Sequence, residues 1–290
     1  MKNKLSFIML LAFVCVMQLN AQILWKVTGN GLKNPSYLFG THHLIDKDKV
    51  PELQKVLSLV KDVDVVVNEI DMSDMMGMQM KIMKGAMMKG QNIRDLISEE
   101  DYKLLDTEFK ELLGIGLDKL GSFKPAMLSN LYSVSVYTKN KKISKEPEAL
   151  DLIIQKAGKK AKKDIVELET ADEQIEVLFN SLTLEKQAEI LVKSVKEKEK
   201  GIEQMQKLDE AYLAGDLKKM EELYSEDEDM TEEYKKALVD TRNLKWVSKL
   251  NKLFETKSGV VAVGCLHLVG ETGLIKQLEK NGFSVEPVKL

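Results

Sequence analysis

Cysteine, proline and histidine are scarce in this 290-residue chain, which has 2 Cys, 5 Pro and 3 His, and only 6% of its residues are aromatic. Two cysteines exclude a disulfide framework and a four-cysteine zinc site. With 43 Lys and Arg against 46 Asp and Glu, the chain also lacks the basic excess of a dedicated nucleic-acid binder, so no nucleic-acid partner is expected. Nothing after residue 30 offers eighteen uninterrupted apolar residues, which argues against a membrane span in the body of the protein. No proline-rich or glycine-serine-rich linker and no repeat of fixed period divides it. What is present is 44% hydrophobic residues, enough to bury a core and to exclude wholesale disorder.

The N-terminus follows its own logic. Lys2 and Lys4 precede an apolar run over residues 5–17, and the small Ala21 stands at a plausible cleavage point. This pattern predicts a signal peptide over residues 1–21 and an exported, periplasmic or secreted chain of residues 22–290 forming one domain. Cys15 follows Phe13 and Val14, where a lipoprotein signal wants small residues. After removal of residues 1–21 only the Cys265 thiol remains, so no internal disulfide is available.

Short β-branched runs predict strands at 23–28, 36–40, 63–70, 164–168, 260–264 and 283–288. Val63, Val65, Val66 and Val67 are nearly continuous rather than alternating, as in a strand covered on both faces, which predicts an α/β sheet. The stretch from about 72 to 255 reads as a large helical middle section. Ser98 and Thr170 open helices, the latter with Glu173 as a full capping box. Residues 184–214 read as one long exposed helix striped by Ile190, Leu191, Val195, Ile202, Met205 and Leu208.

Two similar phrases stand at opposite ends of the chain. Tyr37-Leu38-Phe39-Gly40-Thr41-His42-His43-Leu44 parallels Val261-Ala262-Val263-Gly264-Cys265-Leu266-His267-Leu268: an apolar strand, Gly, two residues, His, Leu. Such a phrase delivers a histidine to the carboxyl end of a strand, where open α/β sheets bind ligands. All three histidines lie in these phrases. Between them, Glu69 ends the most apolar run of the protein. It is read either as a helix cap or lysine partner, or as a metal ligand or general base facing the histidines.

These residues resemble the TraB/GumN family, which includes the Tiki metalloproteases. The resemblance extends from Leu24-Trp25-Lys26-Val27 through the Gly-Thr-x-His phrase, Glu69, Lys124-Pro125, Leu168-Glu169-Thr170 with Glu173-Gln174, Tyr212-Leu213-Ala214-Gly215-Asp216 and Arg242-Asn243 to the second phrase. It implies a mixed β-sheet core wrapped by helices, similar to the erythromycin-esterase and ChaN-like group, and a metal-dependent hydrolase acting on peptide bonds, with a peptide or protein substrate. By position it implies that His43, Glu69 and His267 bind a divalent metal ion such as Zn, Mn or Co, and that His43, Glu69, Arg242 and His267 form the catalytic set. Arg242 is expected to stabilise negative charge on the scissile carbonyl, because its guanidinium stays protonated and presents donors in a fixed fork. His42 departs from the small or aliphatic residue usual there and is expected to point elsewhere. The usual Gly-x-Asp before the mid-chain helix is represented by Ala149-Leu150-Asp151.

Two rival readings come from other residues. Cys265 as a thiolate nucleophile lacks an electropositive setting, and a small buried residue is expected instead. Met72, Met75, Met76, Met78, Met80, Met83, Met87 and Met88 crowd one segment. Their spacing predicts an amphipathic helix with an adaptable apolar face, placed beside the site as a wall or lid. The alternative is a non-catalytic periplasmic binding protein that holds Cu(I) or another ligand there.

Overall fold

The computed structural model describes residues 22–143, 147–227 and 230–289. The signal-peptide expectation over 1–21 lies outside the described residues. All six expected strands are present: β1 (Leu24–Gly29), β2 (Ser36–Thr41), β3 (Val65–Asn68), β4 (Asp164–Glu167), β5 (Gly259–Gly264) and β6 (Phe283–Pro287). They form one six-stranded sheet in the order β4-β3-β5-β2-β1-β6. β4, β3, β5 and β2 run parallel, while β1 is antiparallel to both β2 and β6. The protein is therefore a mixed α/β structure. Parallel pairing needs crossover chain, and helices supply it.

The α-helices of the described residues follow in chain order. In the first half these are α1 (Pro51–Leu59), α2 (Met75–Gly85), α3 (Glu99–Leu113), α4 (Leu117–Leu120), α5 (Pro125–Asn140) and α6 (Leu150–Lys160). Then come α7 (Ala171–Asn180), α8 (Leu184–Lys196), α9 (Lys198–Leu213), α10 (Leu217–Ser225), α11 (Glu232–Lys235), α12 (Thr241–Phe254) and α13 (Leu274–Lys280). A π-helical turn, Lys236–Asp240, leads directly into α12. Among the described residues no helix is long and apolar enough to cross a membrane.

Strand alternation sorts the core into two layers. Leu24, Phe39, Val66, Val260 and Ala262 face Leu53 and Val56 of α1, Leu150 and Ile154 of α6, and Tyr212 of α9. Val27, Leu38, Val65, Val67, Val261 and Val263 face Trp246, Leu250 and Phe254 of α12 and Leu274 and Leu278 of α13. Every residue of β3 is buried, which accounts for its continuous apolar sequence. A third cluster, with Phe109, Leu128, Tyr132 and Leu191 at its heart, joins α3, α4, α5 and α8.

Two expectations are corrected. The segment 184–214 is not one long exposed helix: the backbone turns at Glu197, at φ −104° and ψ 29°, and α8 folds its apolar stripe against α5, burying Leu191 and Val195. The Lys-Glu alternation continues across the break, so nothing in the helical period marks it. The methionine helix forms over Met75–Gly85 only and buries none of its residues; Met75, Met76, Met80 and Met83 are exposed. The expected caps are present, with Ser98 accepting from the Asp101 amide and Thr170 and Glu173 forming a reciprocal box.

Candidate functional site

The four parallel strands end together, since Thr41 is level with Gly264, and Asn68 pairs with both Ala262 and Glu167. The chain leaving each strand at this carboxyl edge carries a chemical group. His43 follows β2, Glu69 follows β3, Glu169 follows β4 and His267 follows β5. α12 lies across the same edge and supplies Arg242 and Asn243, both buried.

Arg242 organises the cluster. Its Nε donates to Glu169 at 3.0 Å, and its Nη2 donates to Glu169 Oε1 at 2.6 Å and to Glu69 Oε2 at 2.7 Å. Its Nη1 donates to the Leu238 carbonyl at 2.8 Å and lies 3.0 Å from His267 Nε2. The Leu238 carbonyl belongs to the π-helical turn, a wide turn often found at functional sites. A guanidinium has five N–H donors, and these acceptors take all five. The expected role of Arg242 as an oxyanion donor to substrate would require part of this network to open, since every N–H is engaged while it stands.

The acceptors are equally engaged. Glu69 Oε1 accepts from the Gly264 amide at 2.8 Å, and Gln174 Nε2 of α7 bridges Glu69 Oε2 at 3.1 Å and Glu169 Oε1 at 3.2 Å. Burial opposes ionisation of Glu69, but His267, Arg242, the Gly264 amide and His43 outweigh it and hold the carboxyl at about 2.

His267 is fixed at both ring nitrogens. Asn243 Nδ2 donates to the His267 carbonyl at 3.2 Å, which turns its Oδ1 toward His267 Nδ1 at 2.7 Å. Nδ1 therefore carries the proton, and the Nε2 lone pair faces Arg242. Burial pushes the imidazole down to about 4; Glu69 opposes this, while Arg242 and His43 add to it. At neutral pH the ring is uncharged. Trp246 packs on His267 with ring centroids 4.4 Å apart, and the Arg242 guanidinium sits 4.6 Å from the Trp246 ring centroid.

His43 differs from the rest: it is exposed, and its ring makes no hydrogen bond among the described residues. It is nonetheless within electrostatic reach of Glu69 and His267. His42 points elsewhere, as expected: its Nε2 lies 3.6 Å from Asp209 Oδ1 and its ring centroid 5.3 Å from that of Tyr212. Cys265 is a buried free thiol that burial raises to about 12, in keeping with a packing role.

The two glycine phrases touch each other. A Cβ on Gly40 would come within 3.0 Å of Leu268 Cδ1 and 3.1 Å of Cys265 Cα, so this glycine is required by close approach of the second phrase rather than by a turn. Gly264 is less confined, and its amide is the group that matters, as a donor to Glu69.

Sequence reasoning missed Glu169 and Gln174 as members of the site. The signal was available: Glu169 follows an apolar strand as Glu69 does, and Gln174 lies on the exit helix that Thr170 caps. The capping box of Thr170 and Glu173 explained that segment locally and masked its second role.

A divalent ion needs open lone pairs converging on one point. Among the described residues no group of His, Cys, Asp and Glu side chains forms such a set. The physical reason is specific: the electron pairs of Glu69 and His267 are turned on Arg242, and no buried polar atom of Glu69, Glu169, Arg242, Asn243 or His267 lacks a partner. The residues as arranged do not fit a metal ion.

A cavity of about 550 Å³ opens among the helices, and its wall includes none of His43, Glu69, Glu169, Arg242 and His267. Val136 of α5, Ile190 of α8 and Met205 of α9 line it, and it touches Leu266, next to His267, and Leu178, one turn beyond Gln174 on the same face of α7. The hydroxyls of Ser129 and Tyr132, two residues of its wall, have no hydrogen-bond partner among the described residues.

Residues 23–287 match the TraB/PrgY/gumN family. The chain belongs to this family. No curated protein and no solved structure matches it.

Proposed function

We propose that this TraB/PrgY/gumN member is an exported hydrolase of peptide bonds. One observation carries the reading: at the carboxyl edge of the parallel strands a closed, charged network lies within electrostatic reach of an exposed imidazole, His43. His43 takes a proton from water as its oxygen attacks the scissile carbonyl. The proton then passes to the leaving amine as the C–N bond breaks, and transfer of the remaining acid proton to that amine gives a carboxylate and an ammonium group. Glu69 is ionised and lies within electrostatic reach of His43, so its charge favours the imidazolium formed in the first step. His267 and Arg242 hold Glu69 and the second glycine phrase in place and do not touch substrate. No step passes through a metal ion.

The cavity that reaches Leu266 offers room for a bound ligand. Its volume falls within the roughly 300–1,000 Å³ usual for ligand pockets.

The test is hydrolysis of a peptide library by the purified chain, with His43→Ala and His43→Gln beside it. Both variants should fold, because His43 is exposed, and both should lose turnover. Undiminished cleavage by His43→Ala, or no cleavage by the wild-type chain, removes the reading. Export is tested separately by the N-terminus of the mature protein from its host, expected near Gln22.

One observation favours a second reading, ligand binding without turnover: five methionines, Met75, Met76, Met80, Met83 and Met87, are solvent-exposed along one segment. Thioethers suit Cu(I). Competition with a Cu(I) chelator, tight for wild type and lost when these residues become Leu, would favour it.

A further inference from the structure

The Arg242 guanidinium lies among three groups that would otherwise make a metal site. Its terminal nitrogens are 2.7 Å from Glu69 Oε2, 2.6 Å from Glu169 Oε1 and 3.0 Å from His267 Nε2. Two carboxylates and one imidazole form a familiar donor set for divalent ions of the first transition row. Asn243 already holds His267 in the tautomer whose Nε2 lone pair faces inward, the arrangement by which a hydrogen-bonded partner orients a metal-ligating histidine. The side chains of Glu69, Glu169 and His267 are only 12%, 6% and 7% exposed, so the set is nearly closed to water.

We infer that Arg242 is a built-in cation occupying a latent Glu69, Glu169 and His267 metal site, so that the wild-type chain needs no divalent ion there and a chain lacking the guanidinium accepts one. Charge supports the exchange. Two carboxylates and a guanidinium sum to −1, and among the described residues the guanidinium is the cation paired with both carboxylates. With the arginine shortened, both carboxylates lose their cation and the Nε2 lone pair loses its donor, while the Gly264 amide and Gln174 still donate to the carboxylates. A buried carboxylate pair without a cation is strongly disfavoured, and a divalent ion would cancel its charge. In the wild-type site an added ion would have to displace a guanidinium held by five hydrogen bonds. The bidentate Glu169 contact gives that guanidinium a fixed orientation.

This inference concerns ion binding and is read without turnover, so its failure and failure of the hydrolase reading are separate results. MnCl2 and ZnCl2 are titrated into metal-stripped wild type, Arg242→Ala and the double variant Arg242→Ala/His267→Ala. Binding is followed by thermal unfolding, by metal content after dialysis, and by the fluorescence of Trp246, which contacts both Arg242 and His267. Wild type should show no ion-dependent change. Arg242→Ala should melt lower, recover several degrees with Mn²⁺ or Zn²⁺ and retain about one ion per chain, and the double variant should lose that gain. An ion retained stoichiometrically by wild type with a Trp246 response overturns the inference. So does an Arg242→Ala chain that folds but takes up no ion. Should Arg242→Ala fail to fold, Arg242→Met, which fills more of the space without the charge, is titrated in its place with the same two outcomes.

Discussion

Lowering the pH from 7 to 4 should destabilise the protein through His267, and the sign of the effect tests the network directly. The folded imidazole titrates at about 4 against 6.5 for the free group, because burial disfavours its cation. Between those values the unfolded chain holds a proton that the folded chain rejects, so stability is full above pH 6.5 and falls as the pH drops toward 4. A shift of about two and a half units corresponds to about 3 kcal/mol at the lower limit. Glu69, held at about 2, remains ionised across this window. Its own contribution is lost only as the pH falls from 4.5 toward 2. His42 is also lowered, by burial, and adds loss in the same direction. Urea unfolding of wild type and His267→Gln at intervals from pH 7.5 to 4 isolates the His267 share, since the variant should lose up to one proton of pH dependence, about 1.4 kcal/mol per pH unit. The rival picture is a stabilising ion pair between a protonated His267 and Glu69, whose atoms lie 3.9 Å apart. That pair would raise the folded pKa and make wild type more stable as the pH falls. Stability that rises below pH 6.5, or an unchanged pH dependence in His267→Gln, refutes the neutral imidazole and the Nε2 lone pair on which the Arg242 contact depends.

Glu169→Ala leaves Arg242 buried against one carboxylate instead of two and should cost about 3–5 kcal/mol in chemical denaturation, with Glu169→Gln costing less because its amide oxygen still accepts one bond. Gly40→Ala places a Cβ against Leu268 and Cys265 and should cost about 1–3 kcal/mol, with a lowered Tm and disturbance of both histidine phrases. Replacing the exposed Met75, Met76, Met80 and Met83 by Gln should change stability by no more than about 0.5 kcal/mol each, because none is buried; a cooperative loss of stability would show that this face is covered in solution.

The strands were legible because burial on both faces of a parallel sheet favours nearly continuous apolar, valine-rich runs, and Val65–Asn68 and Gly259–Gly264 have them. The placement of Glu69 and His267 followed, since a group one to three residues past a strand must lie at its carboxyl edge. The partners of those groups were not legible to the same degree. Arg242 comes from a helix crossing that edge, and the helical period says which residues share a face but not which face meets the strand ends. The methionine helix shows the converse failure. Its three- and four-residue spacing predicts an apolar face, but spacing does not say whether another element arrives to cover that face, and here none of its residues is buried.

The resulting site separates two physical requirements. A group that exchanges protons with water must be accessible, while groups that set its electrostatics act most strongly when fixed and shielded. His43 meets the first, since it leaves β2 at the sheet edge and remains exposed. Glu69, Glu169, Arg242 and His267 meet the second, each nearly buried and each with its orientation set by at least two hydrogen bonds. The two glycine phrases are therefore alike in sequence and unlike in role, because Gly40 admits the backbone of the second phrase whereas Gly264 donates to Glu69. The sequence repeat presents two equivalent histidines. Burial makes them inequivalent, because only one keeps both ring nitrogens open to a substrate.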